Sequence, residues 1–151
     1  MGGRVERLHA LPADRLAPLI AESEQAGLRF VSRLAEEWES GRNRFDRPGE
    51  ALFGALTDGC LVGVCGLNVD PYAGAPRIGR VRHLYVLIAH RRHGVGRELV
   101  GAVVAAARGR FATLRLSTAN SEAARLYETM GFRRGAGDAQ CTHVMEIAAV
   151  P

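Results

Sequence analysis

A basic turn with two glycines joins a strand-like segment to a helix-like segment, and it restricts the fold more than any other feature. Residues 78–87 before the turn contain the β-branched and aromatic residues typical of a strand. Residues 94–108 after it repeat apolar residues at helical spacing. Glycine lets a ligand approach the backbone, and free N–H groups at a helix start bind anions. We therefore predict a pyrophosphate-binding loop made of Arg91, Arg92, His93, Gly94, Val95 and Gly96.

Two other phosphate-binding motifs fit this turn poorly. A Walker loop ends in Gly-Lys-Ser or Gly-Lys-Thr, whereas Gly96 is followed by Arg97 and Glu98. A dinucleotide-binding fingerprint needs a third glycine where Leu99 stands. It also needs an acidic residue about 20 residues later, and residues 114–116 supply none. On these residues alone, a turn that binds no ligand stays open as an alternative.

The order of the remaining segments predicts a mixed α/β fold. Asp58 and Gly59 form a hairpin signal between two apolar runs, which indicates antiparallel strands early in the chain. A strand–helix–strand crossover follows later. The chain of 151 residues suits one domain, assigned to residues 1–151. Strands are predicted at residues 5–8, 51–56, 61–67, 78–87, 113–118 and 142–147, and helices at 12–26, 30–40, 94–108 and 122–130.

The charge balance indicates an anionic partner and leaves its class open. Lys and Arg number 20 against 16 Asp and Glu, a formal net charge of +4, and arginines concentrate between residues 77 and 97. A nucleic-acid-binding surface would interleave aromatic with basic residues. Only 6% of the residues are aromatic and no such interleaving occurs, so we expect no nucleic-acid partner.

Several further features point to a protein of the cytoplasm without membrane segments or metal. The longest apolar run, residues 99–107, is shorter than the roughly 18 residues of a membrane-spanning helix, and the N-terminus does not resemble a signal peptide. The odd cysteine count, with no Cys-x-x-Cys, predicts free thiols at Cys60, Cys65 and Cys141. His90 and His93 lack a third ligand at suitable spacing, so no metal site is expected.

Two motifs together resemble the GNAT superfamily of acetyl-CoA-dependent N-acetyltransferases. Arg91, Gly94 and Gly96 match that family's Arg/Gln-x-x-Gly-x-Gly/Ala pyrophosphate loop. Residues 120–132 look like its Asn-x-x-Ala-x-x-Leu-Tyr-x-x-x-Gly-Phe segment. The resemblance implies a GNAT-like fold: a central mixed, mostly antiparallel sheet flanked by helices, with a bulged strand before the pyrophosphate loop of CoA. Acetyl-CoA is the implied cosubstrate.

The resemblance also implies which residues contact the cofactor. The strand before the turn would offer backbone groups to the pantetheine arm and the thioester, and Asn120 would contact the pantetheine. Tyr127 would lie near the sulfur and act as the general acid, although packing of its helix is an alternative role. The implied cofactor-binding set is Leu84, Tyr85, Val86, Arg91, Arg92, His93, Gly94, Val95, Gly96, Asn120 and Tyr127.

The general base cannot be taken over from the resemblance. Many family members carry an acidic residue on the bulged strand, where this chain has Arg80 and Arg82. His83 is the best titratable candidate, because histidine titrates near neutral pH, and an ordered water is the alternative. Asp70 and Glu50 are weaker candidates.

The two arginines bear on the acceptor as well. Because neighbouring residues on a strand face opposite ways, we expect at most one of them to face the site unless a bulge intervenes, and there it would favour an acceptor with both an amine and an acidic group. The alternative is that both arginines face solvent or bind the phosphates of CoA. The resemblance implies that the region of Trp38, Asn43 and Phe45 borders the acceptor pocket. Trp38 is expected to belong to the core instead, and the roles of Asn43 and Phe45 stay open.

The predicted activity is N-acetyl transfer from acetyl-CoA to a primary amine by direct attack in a ternary complex. A non-catalytic acyl-CoA sensor of the same fold is the alternative. The expected partner is a small-molecule amine, with a protein amine as a second option and no membrane partner. A homodimer is compatible with the sequence.

Overall fold

Apolar runs broken by glycine-containing turns build the sheet of this protein. The computed structural model describes residues 3–135 and 140–147. The described strands are β1 Gly3–Arg7, β2 Ala51–Thr57, β3 Cys60–Val69, β4 Ile78–Val86, β5 Thr113–Leu116, β6 Arg133–Arg134 and β7 His143–Glu146. The described helices are α1 Ala13–Gln25, α2 Phe30–Ser40, α3 Val95–Ala107 and α4 Ser121–Thr129, and a 3-10 turn covers Ile88–His90.

These strands form one mixed sheet of seven strands in the order β1-β2-β3-β4-β5-β7-β6. Only β4 and β5 pair in parallel, and α3 makes the crossover between them. The other neighbours are antiparallel. The predicted fold class, a mostly antiparallel mixed sheet flanked by helices, is confirmed.

The parallel strands β4 and β5 stay paired over only three residues of each. The register begins at Ile78 opposite Thr113 and ends at Arg80 opposite Arg115. β4 continues to Val86, whereas β5 stops at Leu116. The two strands therefore separate beyond Arg80 and leave an opening in the middle of the sheet.

β4 carries the predicted bulge, and it lies beside this opening. Tyr85 pairs with Val64, and Arg82 pairs with Gly66, so His83 and Leu84 together face one residue of β3. The backbone of His83 has a φ of 63°, in the left-handed region. A bulge removes its extra residue from the hydrogen-bonded ladder and redirects the strand.

Helices cover both faces of the sheet. The apolar stripe of α3 is buried against strands β2 to β4 on one face, with Leu99, Val100 and Val103 at its centre. Leu16 and Leu19 of α1 and Leu34 of α2 are equally buried on the other face. This packing places the start of α3 and the start of α2 on opposite sides of β4.

A few local features differ from the sequence-based expectations. β6 was not predicted, because a strand of two residues has no pattern of its own and forms only by pairing with β7. The strands expected to end at residues 87 and 118 end at Val86 and Leu116.

Candidate active site

A cleft of about 590 Å³ occupies the opening between β4 and β5. One of its walls comes from the start of α3 and from α4, and the opposite wall comes from the loop before α2 and from α2 itself. The bulged end of β4 runs between the two walls. The cleft therefore has two sides, which we call the α3 side and the α2 side.

Most of the predicted cofactor-binding residues line this cleft. His93 is exposed and does not line it, and Val95 packs on the apolar core beneath α3. The residues of that set that line the cleft are Leu84, Tyr85, Val86, Arg91, Arg92, Gly94, Gly96, Asn120 and Tyr127.

The predicted pyrophosphate loop gives α3 an open N-terminus. Gly94 caps the helix with a φ of 84°, a conformation that glycine adopts without strain, and its carbonyl accepts the N–H of Glu98 at 3.0 Å. The N–H groups before Glu98 have no helical partner and carry the positive end of the helix dipole. No described atom lies within 4 Å of a Cβ added at Gly94, so an anion has room to approach.

The arginines of this loop make different contacts. Arg91 turns back over β4, where its Nε donates to the carbonyl of Val86 at 2.8 Å and its guanidinium lies 5.3 Å from the ring centre of Tyr85. Arg92 lies 3.8 Å from the carboxylate of Glu122, and both side chains are largely exposed. Arg91 thus braces the strand end, and Arg92 stays accessible to a ligand.

Asn120 directly precedes α4 and lines the α3 side of the cleft. Its side-chain oxygen accepts the N–H of Ala123 at 2.9 Å, which caps the helix. Its own N–H donates to the hydroxyl of Thr118 at 3.1 Å. The side-chain amide nitrogen makes no hydrogen bond within the described part of the chain and is available to a ligand.

Tyr127 lies on α4 and is almost fully buried while still lining the cleft. Its ring packs edge-on against Phe132 with centres 5.5 Å apart. Burial is the main cause that raises the pKa of the Tyr127 phenol, and the nearby Cys65 raises it further. The phenol therefore stays protonated at physiological pH and can donate its hydrogen.

His83 is buried at the bulge between the rings of Phe30 and Phe45, whose centres lie 6.5 and 6.1 Å away. Neither of its ring nitrogens has a hydrogen-bond partner among the described residues. Burial, and then the charge of Arg82, lower the pKa of His83 to about 3. The ring is thus a neutral acceptor, although a weak base.

Both Arg80 and Arg82 line the cleft, and the expectation that at most one would do so is wrong. Residues two apart on a strand point to the same face. Arg80 is buried and pairs with Asp70 at 3.3 Å, with its guanidinium 4.9 Å from the ring centre of Tyr72. Arg82 is half-buried and donates to the side-chain oxygen of Asn68 at 3.5 Å.

The two carboxylates considered as weaker bases have structural partners. Asp70 accepts the N–H groups of Tyr72 and Ala73 at 2.7 and 3.1 Å in addition to its contact with Arg80. Glu50 accepts the N–H of Val69 at 2.9 Å. Neither lines the cleft, so the geometry does not favour either as the base.

The residues proposed for either the acceptor pocket or the core lie behind the α2 side. Trp38 and Phe45 stack with ring centres 6.4 Å apart in the apolar cluster under α1 and α2. Asn43 pairs with Asn68 through two hydrogen bonds of 3.0 Å. None of the three lines the cleft.

Two titratable residues near the cleft, Glu22 and His143, were not predicted from the sequence. Glu22 of α1 accepts the hydroxyl of Tyr85 at 2.7 Å and the N–H of Ile88 at 2.9 Å, and burial with this contact raises the pKa of Tyr85 to about 12. His143 of β7 is buried and its Nε2 lies 2.8 Å from Glu128 of α4. Both contacts join residues that are distant in sequence, so no local sequence pattern predicts them.

The described residues hold no cluster of three or more His, Cys, Asp or Glu side chains that could bind a metal ion. Within the same residues, no helix is long and apolar enough to cross a membrane. Cys60, Cys65 and Cys141 are free thiols.

Comparison with known proteins supports the family resemblance. A candidate acetyltransferase from Exiguobacterium sp. 255-15 has 28% sequence identity and a TM-score of 0.85, over 97% of this chain and 94% of that one. A candidate GNAT acetyltransferase from Desulfovibrio desulfuricans has 21% identity and a TM-score of 0.74, over 97% and 100% of the two chains. None of the curated proteins matches the chain significantly.

A more distant structure shares the fold. N-acetylglutamate synthase from Neisseria gonorrhoeae, solved with coenzyme A and N-acetylglutamate, has 17% identity and a TM-score of 0.71, over 98% of this chain and 36% of that one. The model of the acetyltransferase (GNAT) family matches residues 17–132, which include the predicted pyrophosphate loop, the bulged strand and α4. The chain therefore belongs to the GNAT acetyltransferase family.

Proposed function

We propose that this protein transfers the acetyl group of acetyl-CoA to a primary amine of a small-molecule acceptor, by direct attack of the amine in a ternary complex. The observation that carries the proposal is the single cleft that joins an open helix N-terminus to the bulge of β4 and to Tyr127. Acetyl-CoA would supply an activated thioester. The two sides of the cleft allow cofactor and acceptor to be bound together.

The residues of the α3 side fit the polar groups of CoA. The open start of α3, with Gly94 at its cap, would hold the pyrophosphate, and Arg92 would add charge and forked donors. The free side-chain amide of Asn120 would bind the pantetheine arm. Backbone N–H groups of β4 from Leu84 to Val86 would orient and polarise the thioester carbonyl.

Tyr127 would donate its phenolic hydrogen to the departing sulfur. Because burial keeps the phenol neutral, this donor is in the required protonation state across the physiological pH range. The amine must lose a proton, and His83 or an ordered water on the α2 side would accept it. Because the pKa of His83 is lowered to about 3, the imidazole would hold the proton only briefly, and an ordered water that relays the proton to bulk solvent is the alternative.

The first prediction concerns Tyr127→Phe. If the phenol protonates the sulfur, kcat should fall by about 100-fold or more, whereas the KM for acetyl-CoA should change little. The measurement is steady-state release of the CoA thiol with the best acceptor. Phe132→Leu, which alters the packing of the same ring without touching the hydroxyl, is the matched control. A wild-type kcat in Tyr127→Phe would mean that the residue only packs α4.

A non-catalytic acyl-CoA sensor is the second candidate function. It is favoured because none of the described residues places a carboxylate base on the cleft walls near β4. Such a sensor would bind acetyl-CoA but release no CoA thiol with any amine. The two functions are separated by measuring acetyl-CoA binding and turnover on the same preparation.

We assign the protein to the cytoplasm, in keeping with its three free thiols.

A further inference from the structure

The α2 side of the cleft carries positive charge that the protein itself leaves partly unpaired. Arg33, Arg80 and Arg82 all line the cleft. Arg80 forms an ion pair of 3.3 Å with Asp70, and both side chains are buried. Across residues 3–135 and 140–147, neither Arg33 nor Arg82 forms an ion pair with a carboxylate. Two cationic side chains are therefore available to a ligand on this side.

The guanidinium of Arg82 lies beside a pair of hydrogen-bonded amide side chains. Asn43 and Asn68 exchange two hydrogen bonds of 3.0 Å, and Asn68 is only 4% exposed. The side-chain oxygen of Asn68 also accepts from Arg82 at 3.5 Å. A half-buried guanidinium whose partner within the described part of the chain is a neutral amide carries a desolvation cost that an anion would offset.

The surroundings of Arg82 disfavour a further positive charge. His83 stands next to it, and burial together with the charges of Arg82 and Arg33 lowers the pKa of the imidazole. The same field would repel a polycationic acceptor and attract an anion. Exposed Leu28 and half-buried Phe30 add apolar surface at the rim.

We propose that the acceptor carries a negatively charged oxygen group close to its amine, and that Arg82 and Arg33 bind this group. The group is a carboxylate or a phosphate-type oxyanion, since the planar guanidinium fork suits both. The proposal rests on the proposed function, because it concerns the acceptor of that reaction. Binding the oxyanion beside His83 would place the neutral amine near the bulge of β4, where the thioester carbonyl would be held.

The test uses matched acceptors. Each amino acid of a panel is compared with its decarboxylated amine and with the aminophosphonate of the same side chain, by release of the CoA thiol. We expect kcat/KM to be about 10-fold or more higher for an anionic member than for the decarboxylated amine. The carboxylate and phosphonate arms tell the two oxyanions apart. Equal or better use of the decarboxylated amines or of polyamines would overturn the proposal.

A binding measurement separates this proposal from the proposed function. With the protein saturated with CoA, which cannot react, calorimetry should give tighter binding of the anionic acceptor than of its decarboxylated counterpart. That preference without turnover of any amine would overturn the proposed transfer and support the oxyanion site. Turnover without any anion preference would overturn the oxyanion site alone.

Substitutions then locate the site. Arg82→Gln and Arg33→Gln should each weaken binding and kcat/KM of the anionic acceptor by about 10-fold or more, and change those of the decarboxylated amine by less than about 3-fold. Arg33 is exposed, so its variant should fold even if Arg82→Gln does not. Arg29→Gln, an equal charge change at the exposed start of α2 outside the cleft, should have no effect. Equal losses for both kinds of acceptor in the Arg33 variant would contradict the assignment.

Discussion

At the scale of single residues, His83 combines three unfavourable features. Its backbone has a positive φ, its side chain is 9% exposed, and its two ring nitrogens have no partner among the described residues. Strained and unsatisfied groups persist where the surrounding fold over-determines them, and they concentrate at functional sites. The bulge of β4 is such a place, because it also offers the backbone groups that would face the thioester.

The second prediction is an acid sensitivity that originates at His83. Its pKa of about 3 in the fold lies below the value of 6.5 for an unhindered histidine, so the unfolded chain binds the proton more tightly. The contribution to stability is complete above about pH 6.5 and is lost as the pH falls toward 3. Between about pH 6.5 and pH 4.5 the loss should be roughly 2 to 3 kcal/mol.

The measurement is urea unfolding of the wild type and of His83→Asn at both pH values. Asparagine tolerates a positive φ and does not titrate, so the variant should lose less stability on acidification than the wild type. Because other groups titrate equally in the two proteins, the difference between them isolates His83. Identical losses in both proteins would show that the buried ring does not resist protonation.

At the scale of elements, the two glycines at the start of α3 have different structural roles. Gly94 provides the left-handed cap and an open approach to the helix N–H groups. Gly96 instead lies against α4, where an added Cβ would come within 3.2 Å of Leu126. The pair therefore positions α4, and with it Tyr127, relative to the proposed phosphate site.

The third prediction tests the role of Gly94 at the start of α3. Gly94→Val should lower CoA affinity by more than about 10-fold while the protein stays folded, because the new side chain fills the anion approach and strains the cap by roughly 1 to 3 kcal/mol. Gly109→Val is the matched control at the other end of α3, with a φ of 82° and no described atom within 4 Å of an added Cβ. Calorimetry should find its CoA affinity unchanged. Wild-type affinity in the Gly94 variant would remove the phosphate assignment.

At the scale of the whole molecule, Asp70 ties together the strands that border the cleft. It follows β3 and contacts Arg80 of β4 at 3.3 Å and Arg115 of β5 at 3.4 Å, while its own side chain is fully buried. These contacts stand where the parallel pairing of β4 and β5 ends. The opening of the sheet thus begins directly beyond a buried charge cluster.

The fourth prediction is that Asp70→Asn destabilises the protein by about 3 to 5 kcal/mol, because two largely buried arginines lose their common carboxylate. Urea unfolding at neutral pH gives the free energy of unfolding. Asp46→Asn, at an exposed loop position, should change this free energy by no more than about 0.5 kcal/mol. A loss below about 1 kcal/mol in the Asp70 variant would mean that the cluster contributes little to holding β4 and β5 together.

The sequence by itself determined most of the elements, their order and the glycine-containing turn that begins α3. The spacing of apolar residues, the hairpin turns and the glycines at helix starts are local patterns. Each depends only on residues close together in the sequence, so it can be recognised without the rest of the chain. Even so, the two-residue β6 could not be read from its own residues, because it exists only by pairing with β7.

Only the tertiary structure decided how distant side chains meet. Asp70 was considered as a base and is instead the partner of Arg80 and Arg115, and the pairing of His143 with Glu128 had no sequence signal. The joint placement of Arg33 and Arg82 in one cleft arises because α2 packs over the same face of β4. Such contacts depend on helix packing and strand register, which a linear pattern does not encode.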